Sequence, residues 1–463
     1  MTLIKSISGI RGTIGGKVGD NLTPVDAVKF ASAFGTFIKN RNPSKNKVSV
    51  IIGRDARISG KMVSSLVANT LVGLGIDVID LGLSTTPTVE VAVPLEDADG
   101  GIILTASHNP KQWNALKLLN EKGEFLNGQE GEVILKIAES DDFDFVDVDN
   151  LGTYLKDKSY LEKHVQEVLN LELVDVDAIR NSNFKVVVDA VNSSGGLFIP
   201  ELLNKLNVEC IKLYCEPNGH FPHNPEPLKE HLTDISELVV KEKADFGIVV
   251  DPDVDRLALV CEDGSMFGEE YTLVACADYV LGRLGGGNTV SNLSSSRALK
   301  DITNKHNGNY SASAVGEVNV VIKMKETDSV IGGEGNGGII YPASHYGRDS
   351  LVGVALFLSH MARKRISCKA LRDSYPRYFM SKNKIQLTPQ IDVDRILVTL
   401  ASKYANEEIN TIDGVKIDFE NEWIHFRKSN TEPIIRIYTE SNSQEKADQL
   451  AERFIFEIEE IIS

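Results

Sequence analysis

The residues of this 463-residue chain that could do chemistry fall into a few short segments. The first is Thr105-Ala106-Ser107-His108-Asn109-Pro110, which follows the apolar run Gly101-Ile102-Ile103-Leu104. The run reads as the end of a buried strand, and Pro110 prevents a helix from continuing back through the loop, so Ser107 is displayed rather than packed. A displayed serine beside an imidazole can carry a phosphoryl group; a serine turn with a solvated His108 fits the same six residues.

The second segment, Asp251-Pro252-Asp253-Val254-Asp255-Arg256, follows the strand-like Phe246-Gly247-Ile248-Val249-Val250. Three alternating acids at a strand end repel one another without a cation, and ligands of α/β proteins bind at such ends. All-oxygen donors point to Mg²⁺ or a similar hard ion. Asp251, Asp253, Asp255 and Glu262 have the spacing of an EF-hand, but Arg256 stands where that loop needs glycine, and Leu257-Ala258-Leu259-Val260 reads as a strand. An acidic strand terminus on the surface is the alternative.

The third segment, Gly332-Gly333-Glu334-Gly335-Asn336-Gly337-Gly338, has the glycine spacing of a dinucleotide-binding turn, yet the strand-like Ile339-Ile340-Tyr341 follows where a helix is required. A flexible loop presenting Glu334 and Asn336 to sugar hydroxyls suits it better. The fourth, Arg427-Lys428-Ser429-Asn430-Thr431-Glu432-Pro433-Ile434-Ile435-Arg436, gathers cations and hydroxyls suited to a phosphate dianion; a solvated basic turn is the alternative. Arg11, between glycines, and Arg54-Asp55-Ala56-Arg57 after the first clear strand are, taken singly, ordinary loops.

These segments need elements to position them. A strand, an amphipathic helix and a second strand recur three times: Val48–Ile52, a helix near 61–74 and Val78–Leu81; Val186–Asp189, a helix near 197–206 and Cys210–Leu213; Thr289–Asn292, a helix near 297–306 and Tyr310–Ala314. The alternation predicts an α/β chain of three similar mixed-sheet domains. After about residue 370 the pattern changes to closely spaced strands and a closing helix from about Gln444 to Ile461, a smaller α+β domain. Expected boundaries are 1–150, with the acidic stretch Asp141–Asp149 as linker, 151–256, 257–370 and 371–463.

Composition narrows the partners. A hydrophobic content of 42% and a charged content of 25% are those of a globular protein. A formal charge of −17 repels nucleic acid, so an anionic ligand must be held by a local basic cluster. No membrane-length apolar window and no signal-peptide core are visible, and the five cysteines form no CxxC pair; a cytoplasmic protein without disulfides or zinc is expected.

In this order, from residue 8 to residue 436, the segments resemble the α-D-phosphohexomutase family over essentially the whole chain. The resemblance implies four domains around a central cleft, with Ser107 phosphorylated. It implies Mg²⁺ held by Asp251, Asp253, Asp255 and the phosphoserine, sugar hydroxyls met by Glu334 and Asn336, and the distal phosphate met by Arg427, Ser429, Asn430, Thr431 and Arg436. Arg11, His108 and Lys117 match positions of acid/base and electrostatic assistance, and Arg256 would neutralise the transferring oxygens. Departures are Pro252 and Val254 in place of loop glycines, Asn114-Ala115-Leu116-Lys117 where N-G-x-K is usual, and Arg348-Asp349 where many members have Asp-Gly.

The implied reaction interconverts hexose 6- and 1-phosphates through a hexose 1,6-bisphosphate. The loop with Asn336, where many members have serine, and Val315-Gly316-Glu317-Val318-Asn319-Val320 resemble an archaeal-type branch and favour glucosamine phosphate. The alternatives are a phosphoglucomutase/phosphomannomutase and a catalytically silent sugar-phosphate binding protein. Small sugar phosphates are the expected partners, with neither nucleic acid nor membrane, and the protein is expected to be a monomer or homodimer.

Overall fold

The computed structural model describes residues 2–6, 9–386, 391–428 and 434–462, arranged on four sheets. The first contains β1 (Ile4–Ser6), β2 (Gly9–Thr13), β3 (Ser49–Arg54), β4 (Asp77–Leu83), β5 (Gly100–Leu104), β6 (Trp113–Leu119) and β7 (Tyr154–Lys156), in the order β1-β2-β6-β5-β3-β4-β7. The second contains β8 (Lys185–Asp189), β9 (Glu209–Leu213), β10 (Phe246–Val250) and β11 (Leu257–Cys261), in the order β11-β10-β8-β9. The third contains β12 (Asn288–Asn292), β13 (Tyr310–Ser313), β14 (Ser329–Glu334) and β15 (Gly338–Ile340), in the order β13-β12-β14-β15.

These orders contain one unit three times. In each, the first strand lies between the second and third, all parallel, and a fourth strand returns antiparallel against the third. Two helices cross over in each unit: Gly60–Gly73 and Thr86–Leu95, then Gly195–Lys205 and Thr233–Glu242, then Ala298–Lys305 and Glu317–Glu326. The recurring pattern of the sequence therefore captures only the first half of each unit. Strands such as Val186-Val187-Val188 and Ile248-Val249-Val250 are apolar throughout because helices cover both faces of a parallel sheet.

The consequence for the site is positional. Parallel strands end on one side of the sheet, so the turn from third to fourth strand projects from an equivalent place in all three units. Those turns carry Ser107, the aspartates 251–255, and Glu334 with its glycines.

Strand pairing adds detail at two expected boundaries. β7 pairs with β4, so Tyr154–Lys156 adds an edge strand to the first sheet; β11 pairs with β10, so the second sheet continues past Arg256. Both follow from strand pairing, which a composition change does not report.

The last domain is an antiparallel sheet of β16 (Phe379–Gln386), β17 (Glu408–Asn410), β18 (Val415–Asp418), β19 (Trp423–Lys428) and β20 (Ile434–Ser441), in the order β16-β20-β19-β18-β17. Helices Val393–Lys403 and Gln444–Ile462 cover one face, where Leu400, Ile417, Phe426, Ile437 and Phe454 form its own core. All five cysteines are free thiols. Among the described residues no helix is long and apolar enough to cross a membrane.

Candidate active site

Ser107 sits just past the end of β5 with φ 49°, a left-handed conformation that a serine adopts only where its surroundings impose it. Those surroundings are identifiable. Thr105 Oγ1 accepts the Ser107 N–H at 2.9 Å and donates to Asp55 Oδ2 at 2.7 Å. Arg57, paired with Asp55 at 3.0 Å, is fully buried and donates to the carbonyls of Ser107, Asn109, Pro110 and Trp113. A guanidinium has five N–H donors in a fixed fork, so one side chain can fix an entire loop. The segment 54–57, an ordinary loop when read alone, is the scaffold of the serine turn.

The serine hydroxyl points across the domain boundary and donates to Asp251 Oδ2 at 2.6 Å. Asp251, Asp253 and Asp255 are all fully buried, and one carboxylate oxygen of each comes within 4.8 Å of the others. Lys117, on β6, reaches Asp253 at 2.7 Å and Asp255 at 3.5 Å, and Thr86 donates to Asp253 at 2.6 Å. Although burial opposes it, Asp253 and Asp255 hold the Lys117 ammonium above its ordinary range; the same pairing keeps Asp253 below the usual carboxylate range. Burial and the two neighbouring aspartates push Asp251 well up. Among the described residues Asp253 Oδ1 and Asp255 Oδ1 have no hydrogen-bond partner. An unpaired oxygen on each of two acids beside a third carboxyl starved of positive charge fits a hard divalent cation.

The loop that presents these acids is strained. Val254 adopts φ 66°, where a β-branched side chain costs roughly 1–2 kcal/mol and where the resembled pattern has glycine. Its neighbours hold it there: Thr86 N–H donates to the Asp253 carbonyl at 2.9 Å, Ser350 N–H to that of Val254 at 3.1 Å, and Ser193 to that of Pro252 at 2.7 Å.

The glycine-rich segment departs from the expected flexible loop. Residues 335–337 form a tight hairpin between β14 and β15, and Glu334 is buried at the end of its strand. Its Oε1 accepts from Asn292 at 2.9 Å and from the Gly316 N–H at 3.1 Å; its Oε2 accepts from Arg348 at 2.9 Å and from Asn336 at 3.4 Å. Gly337 has φ 85°, and a Cβ there would lie 2.2 Å from the Leu257 carbonyl oxygen, so β11 packs too closely for any side chain.

Arg348 ties the loops together. It donates to Asp255 Oδ2 at 2.7 Å, to Glu317 Oε2 at 3.0 Å and to Glu334, so it occupies one oxygen of Asp255 and leaves the other free. His108 is half-buried, its inaccessible Nδ1 unpartnered among the described residues, and desolvation of the ring together with Arg256 lowers its pKa well below the ordinary value. Arg256 is nearly buried, 3.4 Å from Glu226 and 4.0 Å from Asp255.

The opposite wall comes from the last domain. Register places Lys384, Arg436 and Arg427 directly across from one another on β16, β20 and β19, hence on one face. Arg427 pairs with Asp413 at 2.7 Å, and Asp413 also accepts the Val315 N–H. Arg11 has its pKa lowered by burial and then by Arg436, so the two walls feel each other's charge. Ser429, Asn430 and Thr431 lie outside the described residues. Sequence reasoning missed Thr86 and Lys384 and gave no role to Arg57 or Arg348; only the alternation Lys382-Asn383-Lys384 on a strand before the basic turn could have suggested one of them.

The four sheets correspond to known domain types. Residues 3–145, 158–264 and 268–378 match phosphoglucomutase/phosphomannomutase α/β/α domains I, II and III, and 389–455 match the C-terminal domain. The chain belongs to this family. It is 35% identical over 458 residues to a phosphoglucomutase/phosphomannomutase of Thermococcus kodakarensis, covering 97% of this chain and 98% of that protein. It is 31% identical over 450 residues to a probable phosphoglucosamine mutase of Methanopyrus kandleri, covering 97% and 96%. The crystal structure of a phosphoglucomutase/phosphomannomutase family protein from Burkholderia thailandensis superposes with a TM-score of 0.84 at 25% identity, covering 98% and 97%. The protein is therefore a phosphohexomutase, built from all four domains of its family.

Proposed function

We propose that this phosphohexomutase interconverts glucosamine 6-phosphate and glucosamine 1-phosphate through a phosphoryl group carried on Ser107. The observation that carries the proposal is the Ser107 hydroxyl held 2.6 Å from Asp251, at the meeting point of the serine turn and the acidic loop. Glucosamine phosphate is favoured by the Val315–Val320 segment with Asn336, and relatives bearing the name phosphoglucosamine mutase support it.

The phosphoryl group leaves Ser107 Oγ as the sugar hydroxyl oxygen bonds to phosphorus, and the hydroxyl proton passes to a base. His108, kept neutral by desolvation of its ring and with no hydrogen-bond partner on Nδ1 among the described residues, is suited to accept that proton. Lys117 and Arg256 offset charge on the transferring oxygens. Mg²⁺, held by Asp251, Asp253, Asp255 and the phosphoserine, would supply further neutralisation of those oxygens when bound. The resulting hexose 1,6-bisphosphate turns over and returns its other phosphate to Ser107. Arg427, Arg436 and the hydroxyl turn at Ser429, Asn430 and Thr431 grip whichever phosphate is not reacting. Glu334 and Asn336 meet sugar hydroxyls, while Arg11 steadies phosphate between the walls. This small-molecule chemistry suits a cytoplasmic enzyme.

The test is phosphorus NMR with Mg²⁺ and a trace of hexose 1,6-bisphosphate, offering glucosamine 6-phosphate, glucose 1-phosphate and mannose 1-phosphate separately. Fastest turnover of the amino sugar is expected. Faster turnover of glucose or mannose phosphate would assign the enzyme to the phosphoglucomutase/phosphomannomutase activity, which the name of the Thermococcus relative favours.

A further inference from the structure

A second buried cluster lies behind the acidic loop, where the first three domains meet. His164, on helix Tyr160–Leu169, places Nε2 3.0 Å from Asp349 Oδ2; His345 places Nε2 3.2 Å from the same oxygen. His164 is fully buried and His345 is 10% exposed at its side chain. The far side of each ring is held separately. His164 Nδ1 is 2.8 Å from Thr88 Oγ1, and His345 Nδ1 faces Glu90 Oε2 at 3.4 Å, the latter two residues' nearest atoms lacking a hydrogen-bond partner among the described residues. Asp349 Oδ1 is committed to capping helix Ser350–Lys364, accepting from the Leu351 and Val352 N–H groups.

The pairing is hard to complete with neutral rings. If His345 carries its proton on Nδ1, toward Glu90, then a bare Nε2 lone pair faces an aspartate oxygen; if the proton is on Nε2, a bare Nδ1 faces the Glu90 carboxylate. Glu90 is almost fully buried and neither of its oxygens has a donor among the described residues. The backbone closes on it: a Cβ at Gly347 would lie 1.9 Å from Glu90 Oε2.

We propose that His164 Nε2, His345 Nε2 and Asp349 Oδ2 bind one divalent transition ion of the Zn²⁺ class, with Glu90 orienting His345 from behind. One ligand atom of each residue lies within 4.8 Å of the others, and a tetrahedral ion with bonds of about 2.0–2.1 Å separates its donors by roughly 3.3 Å, close to the 3.0 and 3.2 Å from each Nε2 to Asp349 Oδ2. Two imidazoles select a borderline ion over Mg²⁺, and partners on the distal ring nitrogens are what metal-bound histidines have. The ion joins domain II to domain III, beside a carboxylate of domain I, so its role is to fix the junction that carries the serine and acidic loops.

The test uses the full-length, tag-free protein, treated with chelator, desalted and given one equivalent of Zn²⁺ or Co²⁺ in excess Mg²⁺. Elemental analysis after desalting is expected to find one Zn²⁺ retained, and Co²⁺ is expected to give the intense visible bands of a four-coordinate ion. His345→Gln should lose both signals, whereas the double variant Asp251→Asn, Asp253→Asn should keep them. No retained ion in the wild type, or identical retention in His345→Gln, overturns the proposal and leaves a hydrogen-bonded cluster closed by a proton on Glu90 or His345. Loss only in the double variant also overturns it, by assigning the ion to the acidic loop.

Discussion

The junction of the first three domains and the inner face of the last have opposite charge problems. At the junction, Asp251, Asp253, Asp255, Glu317 and Glu334 are buried against Lys117 and Arg348, with Arg256 alongside, so carboxylates outnumber cations. On the last domain, Lys384, Arg436 and Arg427 stand in a row with Asp413 paired to one of them. Like charges directly opposite across strands are destabilising without a counter-ion. Among the described residues carboxylates predominate in one region and cations in the other, and a metal ion and a substrate phosphate would offset these two imbalances. The junction is also over-determined by hydrogen bonds from three domains, whereas on the basic face Asp413 pairs with Arg427 alone of the three cations.

That contrast can be broken at each end. The largest effect belongs to Ser107→Ala, which should lower mutase turnover by at least about a thousandfold with the fold intact, measured by coupled assay and circular dichroism; near wild-type turnover would remove Ser107 as carrier. Next, Arg57→Met breaks a fully buried ion pair and frees the carbonyls of the serine turn. It should cost about 3–5 kcal/mol of stability in denaturant titration; a cost of a few tenths would show that the loop holds itself.

The basic face should respond more mildly. His425, buried at its edge, takes a hydrogen bond from Ser294 at Nδ1 and donates from Nε2 to the Asp413 carbonyl, and burial pushes its pKa down to about 4. The folded state thus prefers the neutral ring. As pH falls below the ordinary value of 6.5, the unfolded chain gains a proton that the folded chain refuses until about 4, so stability drops across that window by about 3 kcal/mol. Melting curves of wild type and His425→Asn between these pH values check this; parallel curves contradict it. Smallest, Arg436→Gln should raise KM about tenfold, the loss of one charge-assisted hydrogen bond to phosphate, with kcat changed less.

Legibility in the sequence followed how local each role is. Ser107 and the three aspartates lie in contiguous segments at strand ends, where residue type and spacing single them out as candidates, and the repeated strands at 48–52, 186–189 and 289–292 announced the three-fold plan. Arg57 and Arg348 act on partners far away in the chain, at separations set by the packing of domains, so no spacing betrays them. Glu334 was legible as a special residue but not as a buried one, because its four donors come from Asn292, Gly316, Asn336 and Arg348. Pro252 and Val254 read as replacements for loop glycines; only the backbone reveals that Val254 occupies a glycine conformation.

The most direct test of the central claim is to incubate the protein with Mg²⁺ and isotopically labelled hexose 1,6-bisphosphate, digest it, and locate the label by peptide mass spectrometry. The account predicts one phosphoryl group on Ser107, discharged when glucosamine 6-phosphate is added. Label on another residue, or continued turnover with Ser107 never labelled, would contradict it.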